Sequence, residues 1–521
     1  MRNGEKLPNF SLGLFSKRKT RIFLMILLLF LDSLVFVLPY YINSYTIPVG
    51  WDTPWYIRNM RLIEEQGLLS LFTETQGINF FSILEYLFAL TFNISFITSA
   101  MCVPIIIAIL FPLVNFQIVK KLTKSNGLSL LAMLFTIIDY NVVRMAGIFH
   151  RNLFSLLLIE IAVFLVLPNL LKLPSKKGFF TFVSLAVIAG ISQIETFAIA
   201  IVVLSLLLFF YLKNGLVEFI KSLLLCILVP ASIVILLQAP FLSSFVEAHM
   251  IFNPMYTTLH PTRKNLTTQP WNYATSLGLG LIPLFIAGTY VLFKRAIKHQ
   301  KPLFQFLLFW NFTAIASSFL PVFEVRVPGW RLLLLLTFPP VAILGFGKLF
   351  IGRRSFSNVG PPKVLLLKLL LLVTLFAISL TGIISTQQSR YRPWITKDLY
   401  HKFVWISDHE ENKACIVILH FDRGAQVFDY AEFYRNWIWA IVGTRTNVYF
   451  GDVGSLLESK PTSFENPYMN MTSHIFWTEL ESFTLEGMNA YLIKELYENP
   501  LNEPFLVEVE SDIYSWSSIG R

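Results

Sequence analysis

One acid stands within an aromatic cluster in VGWDTPWYIRNM, residues 49–60. The neighbours of Asp52 that are best suited to hold a substrate are Trp51, Trp55, Tyr56 and Arg58. A carboxylate in such a place can act as a general base or bind a metal ion, and aromatic rings can flank a sugar or a prenyl chain. The structural alternative is a helix cap, with Asp52 or Thr53 as N-cap, Pro54 in the first turn and the rings as an interfacial belt.

A second polar group interrupts apolar sequence in VVRMAGIFHRNLF, residues 142–154. It holds Arg144, His150, Arg151 and Asn152 at the junction of two predicted membrane spans. Such groups are costly at membrane depth unless water or a partner reaches them, so they indicate a polar cavity. The alternative is that Arg151 extends to the membrane interface and Asn152 caps the following helix.

A third group lies in VFEVRVPGWRLLLLLTFPP, where Arg326 and Arg331 meet the membrane within one short loop. A guanidinium forms bidentate bonds to phosphate and keeps its charge, which suits an anionic lipid head group. The alternative is an internal pair between Arg326 and Glu324, with interface anchoring by the second arginine. The loop at 245–265 adds Glu247 as a further candidate for substrate binding.

The composition defines the elements that must position these groups. The chain has 521 residues, of which 55% are hydrophobic and only 14% charged. A water-soluble protein of this length cannot bury so much apolar surface, and the apolar runs of about 20 residues are typical of membrane-spanning helices. The excess of ten positive charges lies mostly in short loops between these runs, which argues against nucleic-acid binding. Three cysteines in scattered positions do not indicate a disulfide framework.

The basic clusters predict the topology, because lysine and arginine concentrate in cytoplasmic loops. If every cluster faces the cytoplasm, an even number of spans separates each neighbouring pair, and about eleven spans satisfy this rule: 22–41, 100–119, 127–143, 152–170, 178–194, 196–212, 220–239, 274–293, 303–320, 330–350 and 364–385. The apolar stretch at 79–96 contains Glu85 and would break the parity. We therefore expect it to be an interfacial helix.

The predicted organisation has three parts. Residues 1–20 form a cytoplasmic basic N-terminus, and residues 21–385 form a mostly α, polytopic membrane bundle with a long first external loop at 42–99. Residues 386–521 form an external α/β domain. Its predicted elements are strands in KACIVILHF and TNVYF, an amphipathic helix in LEGMNAYLIKELYENP and a final strand in FLVEVESDIYSW.

Together these features resemble the GT-C superfamily of membrane glycosyltransferases, which use polyprenyl-phosphate-linked sugars. The resemblance rests on the first-loop acid with its aromatics, on RMAGIFHRN between the third and fourth spans, and on the terminal α/β domain. It covers the order of elements over most of the chain. The architecture is most similar to that of oligosaccharyltransferase catalytic subunits, but their Trp-Trp-Asp-Tyr-Gly signature is absent, so recognition of protein sequons is not supported.

The resemblance implies roles for individual residues. Asp52 matches the family's first-loop acid, which helps to bind a metal ion and to orient the acceptor. The family's second acidic motif falls on His150 and Asn152, with Arg151 between them, and neither matching residue is an acid. Mg²⁺ and Mn²⁺ prefer carboxylate oxygens, so this departure argues against a metal-dependent mechanism. Arg151, with Arg144, can instead supply positive charge beside the leaving phosphate.

The sequence thus predicts a multi-pass protein of the cell membrane with three hypotheses for its function. The first is a glycosyltransferase that moves a sugar from a polyprenyl-phosphate donor to an external glycan, lipid or protein. Its catalytic residues would be Asp52, His150 and Arg151, and its substrate contacts would come from the other polar and aromatic residues of the three groups and from Glu247. The second is a catalytically degenerate scaffold or partner subunit. The third is a transporter or flippase that uses the intramembrane acids Asp32 and Glu160.

Overall fold

The fold is taken from a computed structural model of the whole chain. Up to residue 409 the structure describes residues 18–44, 46–50, 52–70, 79–213, 217–239, 281–299, 302–319, 332–351, 361–389, 391–393 and 395–409. After residue 415 it describes residues 416–420, 427–443, 446–451, 463–466, 469–472, 490–494, 506–510 and 513–516.

Helices make up most of the described chain. The first eleven are α1 (Arg18–Ile42), α2 (Thr53–Gln66), α3 (Phe80–Phe92), α4 (Phe96–Thr123), α5 (Asn126–Ile137), α6 (Tyr140–Ile148), α7 (His150–Ile159), α8 (Leu167–Lys172), α9 (Lys176–Ser192), α10 (Ile194–Lys213) and α11 (Val217–Gln238). The others are α12 (Ile282–His299), α13 (Pro302–Ser317), α14 (Phe338–Phe346), α15 (Pro361–Ser389), α16 (Lys397–His409) and α17 (Val427–Ile441). Two π-helical segments, Glu160–Val166 and Gly347–Ile351, continue α7 and α14.

In the described part of the tail, seven strands follow α16. They are β1 (Ile416–His420), β2 (Asn447–Gly451), β3 (Ser463–Asn466), β4 (Met469–Thr472), β5 (Ala490–Lys494), β6 (Leu506–Glu510) and β7 (Ile513–Trp516). Five of them form a mixed sheet in the order β2-β1-β5-β7-β6, in which β1 pairs in parallel with β2 and β5. The remaining two form an antiparallel pair.

The predicted strands at the start of the tail coincide with β1 and β2, but the predicted helix in residues 485–500 is wrong. Its centre is strand β5, with Ala490 aligned to Ile416 of the parallel neighbour. A short apolar run has no decisive period, and pairing to an existing strand decides its conformation. The predicted last strand is two strands, β6 and β7, which pair antiparallel.

The prediction of a mostly helical, multi-pass membrane protein is confirmed. In the described part, six helices are long and apolar enough to cross a membrane, or seven if the bent pair α5 and α6 counts as one span. Each of the eleven predicted spans overlaps a helix, but the count of eleven remains a prediction. Large apolar side chains on these helices are exposed, for example Phe23, Phe209 and Leu236, as expected of surfaces that face lipid.

The chain separates into two compact units. Unit 1 comprises Met1–Thr46, Phe72–Leu84 and Met101–Arg392, and unit 2 comprises Ile47–Leu71, Glu85–Ala100 and Pro393–Arg521. Segments of the predicted first loop therefore belong to the same unit as the tail. The predicted domain boundaries at residues 20 and 385 remain predictions.

Unit 1 is held together by close helix packing and by buried polar bonds. A close contact joins α12 and α14, where the ring centroids of Phe285 and Phe338 lie 4.5 Å apart. In the neighbouring α13, Trp310 donates its indole N–H to the Leu335 carbonyl at 2.7 Å. Asn311 donates to the Thr337 hydroxyl at 2.8 Å. These bonds satisfy polar groups that lipid cannot solvate.

Several irregularities interrupt the described helices of unit 1, and three of them involve polar residues. Helices α5 and α6 meet at a bend of 46°, and the Asp139 carboxylate accepts a bond from the backbone N–H of Asn141 at the start of α6. The fourth predicted span changes from α to π geometry at Glu160. The chain before α14 is non-helical at Leu336 and Thr337. Non-helical backbone within a membrane bundle must be buried in protein or line a polar cavity.

The core of unit 2 is formed by α2, α16 and α17. Its largest fully buried ring belongs to Trp437, which lies against Tyr400 with ring centroids 5.8 Å apart. The other buried apolar side chains include Ile57, Met60, Leu399, Phe403, Ile406 and Ile438. The described ends of the first predicted loop are thus packed into the same core as the beginning of the tail.

Helix α3 carries an unusual acid in unit 2. Glu85 is fully buried, and neither of its carboxyl oxygens has a hydrogen-bond partner among the described residues. Its backbone carbonyl accepts a bond from Ser99 at 2.6 Å, which ties α3 to α4. Burial raises the pKa of this carboxyl well above its ordinary value of 4.5. The neutral acid is therefore favoured in the folded protein.

Replacement of Glu85 by glutamine is expected to stabilise the protein at neutral pH. The pKa of Glu85 is higher in the folded protein than in the unfolded chain. The free energy of unfolding is therefore highest below pH 4.5 and decreases as pH rises towards the pKa of the folded state. Glu85→Gln removes this loss and should gain about 1–3 kcal/mol at high pH. Thermal unfolding of both proteins between pH 5 and pH 8 checks this. Parallel pH profiles for the two proteins would contradict it.

Candidate functional site

The first-loop cluster, defined as Asp52, Trp55, Tyr56 and Arg58, lies at the start of α2. Asp52 holds the N-cap position with helical dihedral angles, φ −83° and ψ −9°, and its side chain makes no capping bond. Its carbonyl oxygen accepts bonds from the Trp55 and Tyr56 N–H groups at 3.1 and 3.3 Å. The Thr53 hydroxyl donates backwards to the Val49 carbonyl at 2.5 Å. Capping therefore does not account for the Asp52 carboxylate.

The two aromatic residues of this cluster differ in their surroundings. Tyr56 is fully buried and belongs to the interior of unit 2, whereas Trp55 is half-buried. Their rings form an edge contact with centroids 5.4 Å apart. Trp55 is therefore the ring of this pair with surface to offer a substrate. Trp51, the third predicted aromatic, lies outside the described residues.

The arginines of α2 bind within unit 2. The Arg58 guanidinium lies over the Trp439 ring, 4.2 Å from its centroid, and Arg435 approaches the same ring at 5.6 Å. Arg61 donates to the Ile441 carbonyl at 2.8 Å, and burial lowers its pKa against the raising effect of nearby glutamates. These contacts fix α2 on α17 and so orient Asp52. The predicted contact of Arg58 with a substrate remains a prediction.

The second-loop cluster, defined as Arg144, His150, Arg151 and Asn152, lies in unit 1 at the junction of α6 and α7. The junction is a turn at Phe149, with φ −122° and ψ 60°. Its N–H still bonds to the Met145 carbonyl at 2.8 Å, so the turn is tight. The turn therefore places the last residues of α6 beside the first residues of α7.

Burial separates the members of the second-loop cluster. Arg144, His150 and Asn152 are buried, with exposed fractions of 5%, 1% and 3%, while Arg151 is half-buried. The His150 ring contacts the Phe81 ring at a centroid distance of 5.9 Å. Arg151 is therefore the residue of this cluster best placed to meet a ligand, and His150 lies in an aromatic environment.

The remaining predicted site residues, Glu247, Arg326 and Arg331, lie outside the described residues. The first-loop cluster and the second-loop cluster are each assembled within their own unit. That residues of both clusters act in one catalytic site stays a prediction.

The second-loop cluster does not fit a divalent metal ion. The positions that match the family's acidic motif hold His150 and Asn152, and His150 is buried against Phe81. Within the described ranges, no three histidine, cysteine or acidic side chains are grouped to hold a metal ion. Mg²⁺ and Mn²⁺ favour several carboxylate oxygens, so no catalytic step is derived through a metal at this position.

Sequence reasoning missed two groups of residues. Trp439 and Arg435 lie under Arg58, but a contact across so much of the chain leaves no local signal. Asp139 was also missed, although it separates two apolar segments and caps α6. A lone Asp-Tyr-Asn between apolar runs is a typical helix-break signal, and it was absorbed into a predicted continuous span.

Comparison of the fold with solved structures gives strong matches. The Archaeoglobus fulgidus oligosaccharyltransferase in its apo form matches 91% of this chain and 70% of its own chain, with a TM-score of 0.56 and 12% identity. The same enzyme in complex with zinc and sulfate matches 90% of this chain and 68% of its own chain, with a TM-score of 0.54 and 14% identity. A mutant form of the arabinofuranosyltransferase AftD from mycobacteria matches 92% of this chain and 37% of its own, with a TM-score of 0.50 and 10% identity.

No protein-family model and no curated protein sequence matches the chain. The predicted resemblance to GT-C membrane glycosyltransferases is nevertheless confirmed at the level of the fold. The likeness extends over nine-tenths of this chain and includes both the apolar helices and the segments after them. At identities of 10–14% it establishes the architecture, and the activity has to be argued from the site.

Proposed function

We propose that this protein is a membrane glycosyltransferase that moves a sugar from a polyprenyl-phosphate-linked donor to an acceptor on a glycan, lipid or protein outside the cell. The observation that carries the proposal is the GT-C fold, in which Asp52 starts α2 with a carboxylate that capping does not use. A related structure of Archaeoglobus fulgidus AglB is a complex with an inhibitory peptide and a dolichol-phosphate, which supports a lipid-linked donor.

Asp52 is the proposed general base. Its carboxylate takes the proton of the acceptor hydroxyl, the acceptor oxygen bonds to the anomeric carbon, and the bond from that carbon to the donor phosphate oxygen breaks. The electron pair leaves with the polyprenyl phosphate. General bases in such positions contribute about 10²–10⁴-fold to rate. Trp51, Trp55, Arg58 and Glu247 would hold the sugar and the acceptor, whereas the fully buried Tyr56 packs against the Trp55 ring.

Arg151 is the proposed partner of the leaving phosphate, with support from the buried Arg144. A guanidinium supplies fixed positive charge and two parallel donors, which match the geometry of a phosphate. Arg326 and Arg331 would hold the lipid phosphate, and Asn152 would donate to the same group or to the sugar. His150 is the weaker candidate for a base, because its ring is buried against Phe81.

Substitution of Arg151 by glutamine is expected to lower kcat by about 10²–10³-fold, with a smaller change in KM, since the leaving phosphate gains charge in the transition state. Arg151→Lys should retain an intermediate rate, because it keeps the charge and loses the bidentate geometry. Arg18→Gln, an exposed arginine at the start of α1, is the control. Equal loss of rate in the control, or a pure KM effect in Arg151→Gln, would contradict this role.

A second candidate function is a non-catalytic subunit or scaffold. The observation that favours it is the replacement of both second-motif acids by His150 and Asn152. Such a protein would bind a polyprenyl-phosphosugar without turning it over.

Lipid-linked sugars in the native membrane distinguish the two functions. Cells that lack the protein should accumulate the donor lipid, and wild-type protein should remove it. The Asp52→Asn variant, expressed in the same amount as the wild type, should leave as much donor lipid as is found in cells that lack the protein. If the variant restores the donor to the wild-type level, Asp52 is not the base. If deletion changes no lipid-linked sugar, the proposed donor class is wrong.

A further inference from the structure

A small cavity with one polar wall lies within unit 1, where these three helix irregularities meet. Its lining includes Asp139 from the bend between α5 and α6, Glu160 from the first position of the π segment, and Thr337 from the non-helical chain before α14. Asn115 of α4 and Asn141 of α6 complete its polar wall. Broken helices and π segments concentrate at ligand sites because they expose polar groups inside the membrane.

The polar groups of this wall are buried and incompletely bonded. Asn115 donates its amide to the Thr136 hydroxyl at 3.1 Å, which leaves its carbonyl oxygen without a partner among the described residues. Neither the amide nitrogen nor the oxygen of Asn141 is bonded in the described part, and the Oε2 atom of Glu160 is likewise unbonded there. All three side chains are at least 98% buried. Unbonded acceptors at this depth are costly, so a ligand that supplies positive charge would relieve them.

The charges point to a cation. Asp139 and Glu160 line the same cavity, and two ionised carboxylates there would repel each other. No lysine, arginine or histidine is among the described residues that line it. Two carboxylates in an apolar interior therefore lack a cationic side chain between them. An acid at the centre of a membrane helix costs about 2.5–3.5 kcal/mol, and two adjacent acids cost more unless a counter-ion is present.

The space restricts what can bind. The cavity has a volume of about 10 Å³, which is room for about one ion or water molecule. A hydrated ion is too large, so the ligand must exchange its water for protein oxygens. Ca²⁺ does so readily with carboxylate and amide oxygens, whereas Mg²⁺ usually keeps several waters.

We propose that Asp139 and Glu160, with the amide oxygens of Asn115 and Asn141, bind one dehydrated divalent cation of the Ca²⁺ type inside the transmembrane unit. Two carboxylates balance its charge, and the oxygen-only ligand set suits a hard cation. The bound ion holds the bend between α5 and α6 against the π segment after α7. Since the second-loop cluster lies on α6 and α7, the ion stiffens the support of Arg144 and Arg151. This site contains no residue of the first-loop cluster and does not rest on the proposed transfer reaction.

Equilibrium dialysis of the purified full-length protein with ⁴⁵Ca²⁺ tests the proposal. The wild type should bind one Ca²⁺ per chain, and Asp139→Asn and Glu160→Gln should each weaken binding by about ten-fold or more, since affinity follows the charge of the ligands. Asp52→Asn should bind like the wild type. The matched control is Glu195→Gln, which changes a half-buried acid of α10 that bonds to Gln193.

A second measurement separates binding from a fold defect. Ca²⁺ should raise the melting temperature of the wild type and of Asp52→Asn by mass action, and should leave that of Asp139→Asn unchanged. Removing an unpaired buried charge rarely unfolds a protein, so both site variants should remain monodisperse. Absence of saturable Ca²⁺ binding would show that the cavity holds water alone and would overturn the proposal. Equal binding by the wild type and both site variants, or loss of binding in Asp52→Asn alone, would overturn it as well.

Discussion

Asp52→Asn is expected to abolish sugar transfer, with a fall in kcat of about 10²–10⁴-fold, and to leave the fold intact. Asparagine keeps the size and shape of the side chain but cannot accept the acceptor's proton. The N-cap position tolerates the change, because the Asp52 side chain makes no capping bond and asparagine is itself a favourable N-cap residue. The effect should therefore fall on the chemical step and not on the helix.

Glu64→Gln is the matched control for this prediction. Glu64 lies on the same helix and is exposed, so its substitution removes one negative charge from α2 without touching the first-loop cluster. Transfer rates should be measured for the two variants and the wild type at equal amounts of folded protein, judged by gel filtration and by the melting temperature. Retention of more than a tenth of wild-type kcat by Asp52→Asn would remove Asp52 from the role of base.

Gly345→Ala is expected to destabilise unit 1 strongly, by about 3 kcal/mol, the upper part of the usual range for overpacking. A Cβ atom at Gly345 would lie 2.0 Å from the carbonyl oxygen of Leu284 and 2.7 Å from the backbone nitrogen of Gly288. Gly288 shows the reciprocal approach, with a Cβ 1.9 Å from the Val341 carbonyl oxygen. Backbone atoms cannot rotate away as a side chain does, so α12 and α14 would have to separate.

Gly382→Ala provides the contrast. Gly382 lies within α15, and a Cβ there would meet no atom closer than the Tyr140 ring at 3.6 Å, an ordinary contact distance. Alanine is also the better helix former, by about 1 kcal/mol. In thermal unfolding in detergent, the melting temperature should be much lower for Gly345→Ala than for the wild type and should not be lower for Gly382→Ala. Equal melting temperatures for the two variants would contradict the close packing of α12 on α14.

The helical architecture could be predicted from the sequence because its signal is local. Runs of apolar residues, basic loop residues and caps such as Ser125 and Ser175 define each helix within its own segment. The strands at β1 and β2 were predicted for the same reason. The conformation of residues 490–494 was not, because a parallel partner more than 70 positions away in the sequence decides it.

The candidate site could be predicted only in part. The types and spacing of Asp52, Trp55 and Arg151 indicated chemistry, and the comparison with solved structures supports the predicted fold. Contacts between distant segments, such as Arg61 with Ile441, 380 positions apart, left no signal in the sequence. The cavity lined by Asp139 and Glu160 left no signal in the sequence either, because it forms only where several interrupted helices meet.

The most direct test of the proposed function is single-turnover transfer by the purified protein in liposomes. The donors are dolichyl-phosphate and dolichyl-pyrophosphate sugars labelled in the lipid chain, and native membranes stripped of this protein supply the acceptor. The account predicts that one donor of the set is converted to free dolichyl phosphate or pyrophosphate by the wild type and not by Asp52→Asn. Binding of a donor without release of its lipid phosphate, at equal levels in both proteins, would contradict it.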